Sequence, residues 1–197
     1  MNYAILGSGA IGTALARRFV AKSIDITIAN TKGPHSLAGL VSELGPTVRP
    51  VTASEALQAD VVILAIPFDA VRDAVKGVEW KRRIVVDATN AIDFPAFSPR
   101  DLKGRLSTQI VADAVPGARV VKAFNTLAAT ILGADPVAHG GRRVLFVSSD
   151  DPSARLAIVD LVDRLGFAAV DLGGIAEGGR VQQFGGGVSG KEFVQLG

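Results

Sequence analysis

Ten residues near the amino end constrain this chain more than any others. Tyr3-Ala4-Ile5-Leu6 is a short apolar run, Gly7-Ser8-Gly9-Ala10-Ile11-Gly12 spells G-x-G-x-x-G, and an alanine- and leucine-rich stretch from Thr13 to Ala21 follows. Strand, glycine turn and helix in that order make the dinucleotide-binding fingerprint. Gly7 permits the tight turn, Gly9 lets the backbone approach a pyrophosphate, and Gly12 lets the helix pack close to the sheet. The diphosphate then sits on the helix N-terminus, where free N–H groups and the helix dipole favour negative charge. The competing reading is a glycine-rich turn that serves packing alone.

The second strand refines the ligand. Asp25-Ile26-Thr27-Ile28-Ala29 runs into Asn30-Thr31-Lys32. A fold that prefers NAD places an acid here, roughly 20 residues past the fingerprint, to hold the ribose 2′-OH. No acid stands there. Asn30 and Thr31 offer neutral hydrogen bonds and Lys32 a positive charge, which suits a 2′-phosphate, so the expected cofactor is NADP(H). The plainer reading makes Lys32 a solvated loop lysine.

The remaining chain alternates strands and helices. Short strands are expected at 48–51, 60–66, 83–89, 118–124, 143–148 and 168–172, with helical segments at 34–44, 54–58, 70–75, 107–115, 127–132 and 152–165. The run Asp60-Val61-Val62-Ile63-Leu64-Ala65-Ile66 has the near-continuous hydrophobicity of a strand covered on both faces. This pattern predicts right-handed crossovers and an α/β, doubly wound, mainly parallel sheet in one domain over residues 1–172. Residues 173–197 read as a Gly-rich tail that is either solvated or docked on the acceptor site, with Gln182, Gln183 and Phe184 lining the pocket. Ligands of such sheets lie beyond the carboxyl ends of the strands. Those ends are Ala65-Ile66-Pro67, Thr89-Asn90 and Asn125-Thr126. Asn90 and Asn125 can donate and accept toward a ribose or a carboxamide, or simply bond their own loops. Asp87, inside an apolar strand, reads as a hydrogen-bonded structural acid.

Composition excludes several classes. The chain has 197 residues with a net charge of +2, and its basic residues occur in scattered pairs, so nucleic acid is not an expected partner. It has no cysteine, which removes thiolate catalysis and disulfides. Strand residues begin at Tyr3, leaving no room for a signal peptide, and the 61–70 run is too short to span a bilayer; a cytoplasmic, membrane-free protein is expected. His35 and His139, the two histidines, read as surface residues. Gly185 to Lys191 nearly forms a phosphate loop, but Glu192 stands where a hydroxyl is needed.

Four segments together, Gly7 to Gly12, Ala29-Asn30-Thr31-Lys32-Gly33-Pro34, Asp87-Ala88-Thr89-Asn90 and Val121-Lys122-Ala123-Phe124-Asn125-Thr126, resemble the coenzyme F420-dependent NADP oxidoreductases. They are also similar to the oxidoreductase domain of STEAP-type metalloreductases. The resemblance implies a single Rossmann-type domain that binds NADP(H), with F420, FMN or FAD stacking near the nicotinamide as acceptor. It also implies a homodimer. Thr31 and Lys32 inherit the 2′-phosphate role, and Lys32 replaces the commoner arginine, keeping the charge but losing the bidentate fork. No catalytic side chain and no metal are expected, because the two cofactors carry the hydride transfer. Two alternatives stand beside this reading. One is a non-catalytic module that senses NADP(H) redox state. The other is a reductase of a small carbonyl or imine, disfavoured because such enzymes add a helical second domain.

Overall fold

The apolar runs do pair as a sheet. The computed structural model describes residues 1–197. Its strands are β1 (Tyr3–Leu6), β2 (Ile26–Ala29), β3 (Val48–Pro50), β4 (Val61–Leu64), β5 (Ile84–Asp87), β6 (Ile92–Asp93), β7 (Ser98–Pro99), β8 (Arg119–Lys122), β9 (Val137–Ala138), β10 (Gly141–Val147), β11 (Ala168–Asp171) and β12 (Val194–Leu196). The helices are α1 (Ala10–Ala21), α2 (Ala38–Leu44), α3 (Ala53–Ala56), α4 (Val71–Ala74), α5 (Ser107–Ala114), α6 (Ala129–Gly133), α7 (Pro152–Arg164) and α8 (Arg180–Gln182). Six strands form one parallel sheet in the order β3-β2-β1-β4-β5-β8. The order reverses between β1 and β4, so the crevice at their carboxyl ends is the topological switch point where such sheets bind ligands.

Alternation along the strands splits the core in two. Ile5, Ile63 and Val86 point to the face covered by α1 and α7, where Leu15, Phe19, Leu161 and Phe167 complete the larger cluster. Ala4, Leu6, Val62, Leu64 and Val85 point to the other face, against Val71, Trp80 and Val111. Two helices carry side-chain caps of different kinds. Asp151 caps α7 by accepting from the Ala154 N–H at 2.9 Å, and Thr52 caps α3 through a reciprocal pair with Glu55. No helix is long and apolar enough to cross a membrane.

Three features depart from the sequence-based expectation. First, the parallel sheet ends at β8. β10 meets it only through one antiparallel bridge, Lys122 to Ser148, and opens a second sheet with parallel β11 and antiparallel β9 and β12. The connection from β8 contains one five-residue helix, α6. That helix packs on α1, with Gly133 against Ala14, instead of crossing the sheet, so the chain returns in the opposite direction. Second, a hairpin, β6–β7, follows β5. Third, residues from Gly173 onward are folded: a π-helical turn at Ile175–Gly179 leads into α8, and β12 pairs with β10. Glycine here serves close approach, since a Cβ at Gly178 would stand 2.6 Å from the Ser148 Cβ.

Candidate functional site

The glycine turn between β1 and α1 has three glycines with three different surroundings. Gly7 has φ +117°, and a Cβ there would meet the Ala65 carbonyl oxygen at 2.1 Å. Gly12 is hemmed in as tightly: its Cβ would lie 1.9 Å from the Gly7 carbonyl oxygen. Gly12 therefore holds α1 against the turn itself, and only secondarily against Ile5 of the sheet. Around Gly9 a Cβ would meet nothing within 4 Å. Its φ of −75° is open to any residue, so packing does not explain a glycine there. Unlike α3 and α7, α1 has no side-chain cap, and its first turn holds no acid. The N–H groups of exposed Ala10, half-buried Ile11 and buried Gly12 begin a helix whose first donors have no side-chain acceptor. This open cradle fits a dinucleotide diphosphate.

The loop after β2 is wired to the cradle. Asn30 donates to the Ser8 Oγ at 3.0 Å and to the Ser36 Oγ at 3.0 Å, and its Oδ1 accepts from the Lys32 N–H at 2.9 Å. Asn30 thus positions the loop. Thr31 and Lys32 are exposed at its tip, and the Lys32 ammonium forms no ion pair. Ser36 escaped the sequence reading. It begins no motif, and only the fold brings it back beside Asn30.

The carboxyl ends of β4, β5 and β8 converge as expected. Ala65 and Ile66 are half-buried behind Gly7, and Pro67 is exposed beyond them. Asn90 donates to the Asn125 carbonyl at 2.9 Å, and Asn125 returns a bond to the Asn90 Oδ1 at 3.1 Å. The pair joins the two strand ends. The Asn125 Oδ1 is buried with no partner. Phe124, before it, has φ +63°, a strained conformation for a bulky residue that aims Asn125 back across the strand ends. Thr126 is buried, and its carbonyl accepts from the Gly190 N–H at 2.9 Å.

Beneath these residues lies a charge pair that the sequence reading missed. Asp87 and Lys122 occupy matched positions on β5 and β8, both fully buried, with the Lys122 Nζ 3.0 Å from the Asp87 Oδ2. Asp87 also accepts from the Thr89 N–H, the Thr89 hydroxyl and the Thr108 hydroxyl, and Lys122 donates to the Thr89 carbonyl at 2.6 Å. Burial pushes the Lys122 pKa below its ordinary value, and the Asp87 carboxylate pulls against that shift. Asp87 is the structural acid expected of it, but it does have a charged neighbour. The available signal was the parallel placement of the two motifs, Asp87-Ala88-Thr89-Asn90 and Lys122-Ala123-Phe124-Asn125.

Gln182, expected from the sequence to line the acceptor pocket, fills the seam between the sheets. It is fully buried, donating to the Phe146 carbonyl at 2.9 Å and the Lys122 carbonyl at 3.2 Å, and accepting from the Ser148 hydroxyl. Its own carbonyl accepts from the Asn125 Nδ2 at 2.8 Å. The segment that follows carries Phe184 edge-on to Phe97, which in turn meets Phe94. Arg100 ties the hairpin to the loop after β4 by donating to both Asp93 and Asp69, whose hydrogen bonds raise its pKa, Asp69 contributing most. His35 is exposed within the 30–36 loop, and His139 lies in the turn before β10. A cleft of about 1100 Å³ lies at the opposite, amino ends of β1 and β2, near Tyr3, Asp25 and Arg164.

Residues 2–91 match the family model described as NADP oxidoreductase, coenzyme F420-dependent. The chain is 53% identical to a hypothetical protein, SMa0349 of Sinorhizobium meliloti, whose crystal structure superposes with a TM-score of 0.96 over 99% of this chain and 96% of that one. A protein of Arthrobacter sp. FB24 assigned as an F420-dependent NADP reductase is 25% identical, with a TM-score of 0.77 over 89% of this chain and 86% of that one. Among curated proteins, the metalloreductase STEAP3 of Rattus norvegicus is 27% identical over 90% of this chain; the chain spans 35% of that relative's length. A reductive aminase of Aspergillus terreus, 18% identical with a TM-score of 0.65 over 89% of this chain and 56% of that one, shares the fold. With its glycine cradle, its acid-free loop after β2 and its Rossmann-type sheet, the chain is similar to the coenzyme F420-dependent NADP oxidoreductases, whose family model its amino-terminal residues 2–91 match.

Proposed function

We propose that this protein passes a hydride between NADPH and a flavin-like or deazaflavin acceptor at the carboxyl ends of β1, β4, β5 and β8. The observation that carries the cofactor choice is the uncapped start of α1 beside an exposed lysine, in a stretch from Asn30 to Ser42, the loop after β2 and the start of α2, without a single carboxylate. The amides of Ala10, Ile11 and Gly12 would hold the diphosphate, and Thr31 and Lys32 the 2′-phosphate. Ala65, Ile66 and Pro67 would bound the nicotinamide on one side. Asn90, Asn125 and Thr126 would bound it on the other, with the unpartnered Asn125 Oδ1 available to an amide N–H after a small shift.

Bound NADPH supplies the hydride at its nicotinamide C4. The protein's share is to hold two rings at reacting distance and keep water out. The Asn90–Asn125 pair fixes the strand ends, the buried Asp87–Lys122 pair stiffens them from below, and residues 182–190 cover them. The partners in this reading are small molecules.

The test mixes protein, NADPH and either FMN or F420 and follows loss of nicotinamide absorbance, with calorimetry of NADP⁺ binding alongside. Turnover with either acceptor supports the proposal. Tight NADP⁺ binding without turnover of either would leave a redox-sensing module in its place.

A further inference from the structure

A cavity of about 220 Å³ opens between the hairpin and α8, directly behind Ala91, the residue after Asn90. It is lined by Arg100, Arg105, Arg180, Ser107, Gln183 and Phe184. We propose that it is a subsite for the anionic tail, phosphoryl or carboxylate, of a planar ring acceptor. The inference rests on the hydride-transfer reading above and specifies the acceptor's chemistry.

The lining carries three guanidinium groups against one carboxylate, Asp101, and that carboxylate is held by the Lys103 ammonium at 2.6 Å. Arg100 is taken by Asp69 and Asp93, and Arg105 pairs with Asp113 across an exposed contact. Arg180 is exposed and makes no ion pair or side-chain hydrogen bond. Ser107 supplies an independent sign. It is 1% exposed, lines the cavity, and its hydroxyl has no partner. It opens the eight-residue α5, whose N-cap position is Leu106, a residue with no acceptor to offer. The Ser107 N–H reaches only the Gln183 side-chain oxygen, at 3.3 Å. A buried hydroxyl without a partner, a thinly satisfied helix start and a free guanidinium around one hollow match an anion's needs.

Position ties the hollow to the reaction. Phe184 lines it and is also the inner member of the Phe184–Phe97–Phe94 edge-to-face chain, whose outer two rings are 62% and 74% exposed. A ring beside Asn90 would sit next to these aromatic faces, and its tail would turn past Ala91 into the cavity. At about 30 Å³ per water, the volume holds roughly seven waters, which is room for a phosphoryl group and part of its linker.

The test uses the protein saturated with NADP⁺, so that the start of α1 is not free to take other anions. Inorganic phosphate is titrated while backbone amide resonances are followed by NMR. FMN is compared with riboflavin, and F420 with its tail-less deazaflavin, as NADPH-driven acceptors. The comparison variant is Arg105→Gln/Arg180→Gln, with NADP⁺ calorimetry reporting that it folds. The expected result is saturable phosphate shifts at Ser107 and Gln183, lost in the variant. At least one tailed ring should be favoured about tenfold or more in kcat/KM, the ratio falling toward one in the variant. The pair that shows this ratio identifies the acceptor type.

Absence of phosphate shifts at those amides overturns the inference, as does equal use of tailed and tail-less rings. If NADP⁺ binds and no ring is reduced, the hydride-transfer reading fails and the acceptor-tail assignment falls with it. The phosphate titration then decides separately whether the cavity is an anion site.

Discussion

Replacing the glycines of the cradle one at a time should separate holding the fold from holding the ligand. A Cβ at Gly9 meets nothing within 4 Å, and its backbone is extended, so Gly9→Ala leaves the fold intact. The loss of unfolded-state freedom stabilises by about 0.4–1 kcal/mol. The poorer N-cap offsets a similar amount. The melting temperature should therefore move by no more than about 2 °C. Yet the added methyl group stands where a diphosphate must approach the amides of Ala10 to Gly12, so NADP⁺ affinity should fall at least about tenfold, or roughly 1.4 kcal/mol. Gly12→Ala is the mirror case. Its Cβ would stand 1.9 Å from the Gly7 carbonyl oxygen, and the turn or the helix has to move apart. The overpacking costs about 1–3 kcal/mol, partly offset by alanine's better helix propensity of about 1 kcal/mol. At the strained end this lowers the melting temperature by about 4–8 °C. Thermal melts and calorimetry with NADP⁺ read both numbers. A Gly9→Ala protein that binds NADP⁺ like the wild type would refute the reasoning, as would a Gly9→Ala protein that melts far below it.

Four further outcomes are expected. Lys32→Asp should weaken NADPH binding much more than NADH binding; equal losses in paired titrations would remove Lys32 from the 2′-phosphate site. Lys122→Met strands a buried carboxylate and Asp87→Asn a buried ammonium, so urea unfolding should show about 3–5 kcal/mol lost in each. The double variant should lose clearly less than the sum. Because burial lowers the folded-state pKa of Lys122 below its ordinary 10.5, the unfolded chain binds more protons in that interval. Stability should therefore rise with pH from the folded pKa up to about 10.5, and that slope should be absent from Lys122→Met; the difference between their pH–stability curves measures it. Gln182→Leu leaves the Phe146 and Lys122 carbonyls and the Ser148 hydroxyl without this partner, and denaturant unfolding should register a loss of about 2–4 kcal/mol.

The parts of the fold that announced themselves were those in which one local rule decides. β1, β4 and β5 are runs of residues covered on both sides, so continuous hydrophobicity marked them; α7 starts at Asp151-Pro152, a cap followed by a residue suited to the first turn. The glycine cradle was readable for the same reason. Strand direction is not local. Nothing in the composition of Gly141 to Val147 distinguishes a parallel neighbour of β8 from an antiparallel one; the choice lies in how α6 packs on α1. The hairpin strands have two residues each, too few to show a period. The Asp87–Lys122 pair needs the register of two strands separated by a whole β–α unit. Gln182, in a glycine-rich stretch, reads as a pocket-lining or solvated residue, because its partners on β8 and β10 are distant in sequence.

Gln182 also limits how ligands come and go. Swinging residues 182–190 away from the strand ends would strip partners from at least three buried groups, at about 1–3 kcal/mol each. At a total of about 4 kcal/mol, about one molecule in a thousand would stand open. This side of the crevice is a fixed wall, and traffic has to pass the other side. There the hairpin's Phe94 and Phe97 face solvent, held by Arg100, by the Phe97–Phe184 contact and by Gly185 lying close against Pro99, so the rate of exchange should be sensitive to the hairpin.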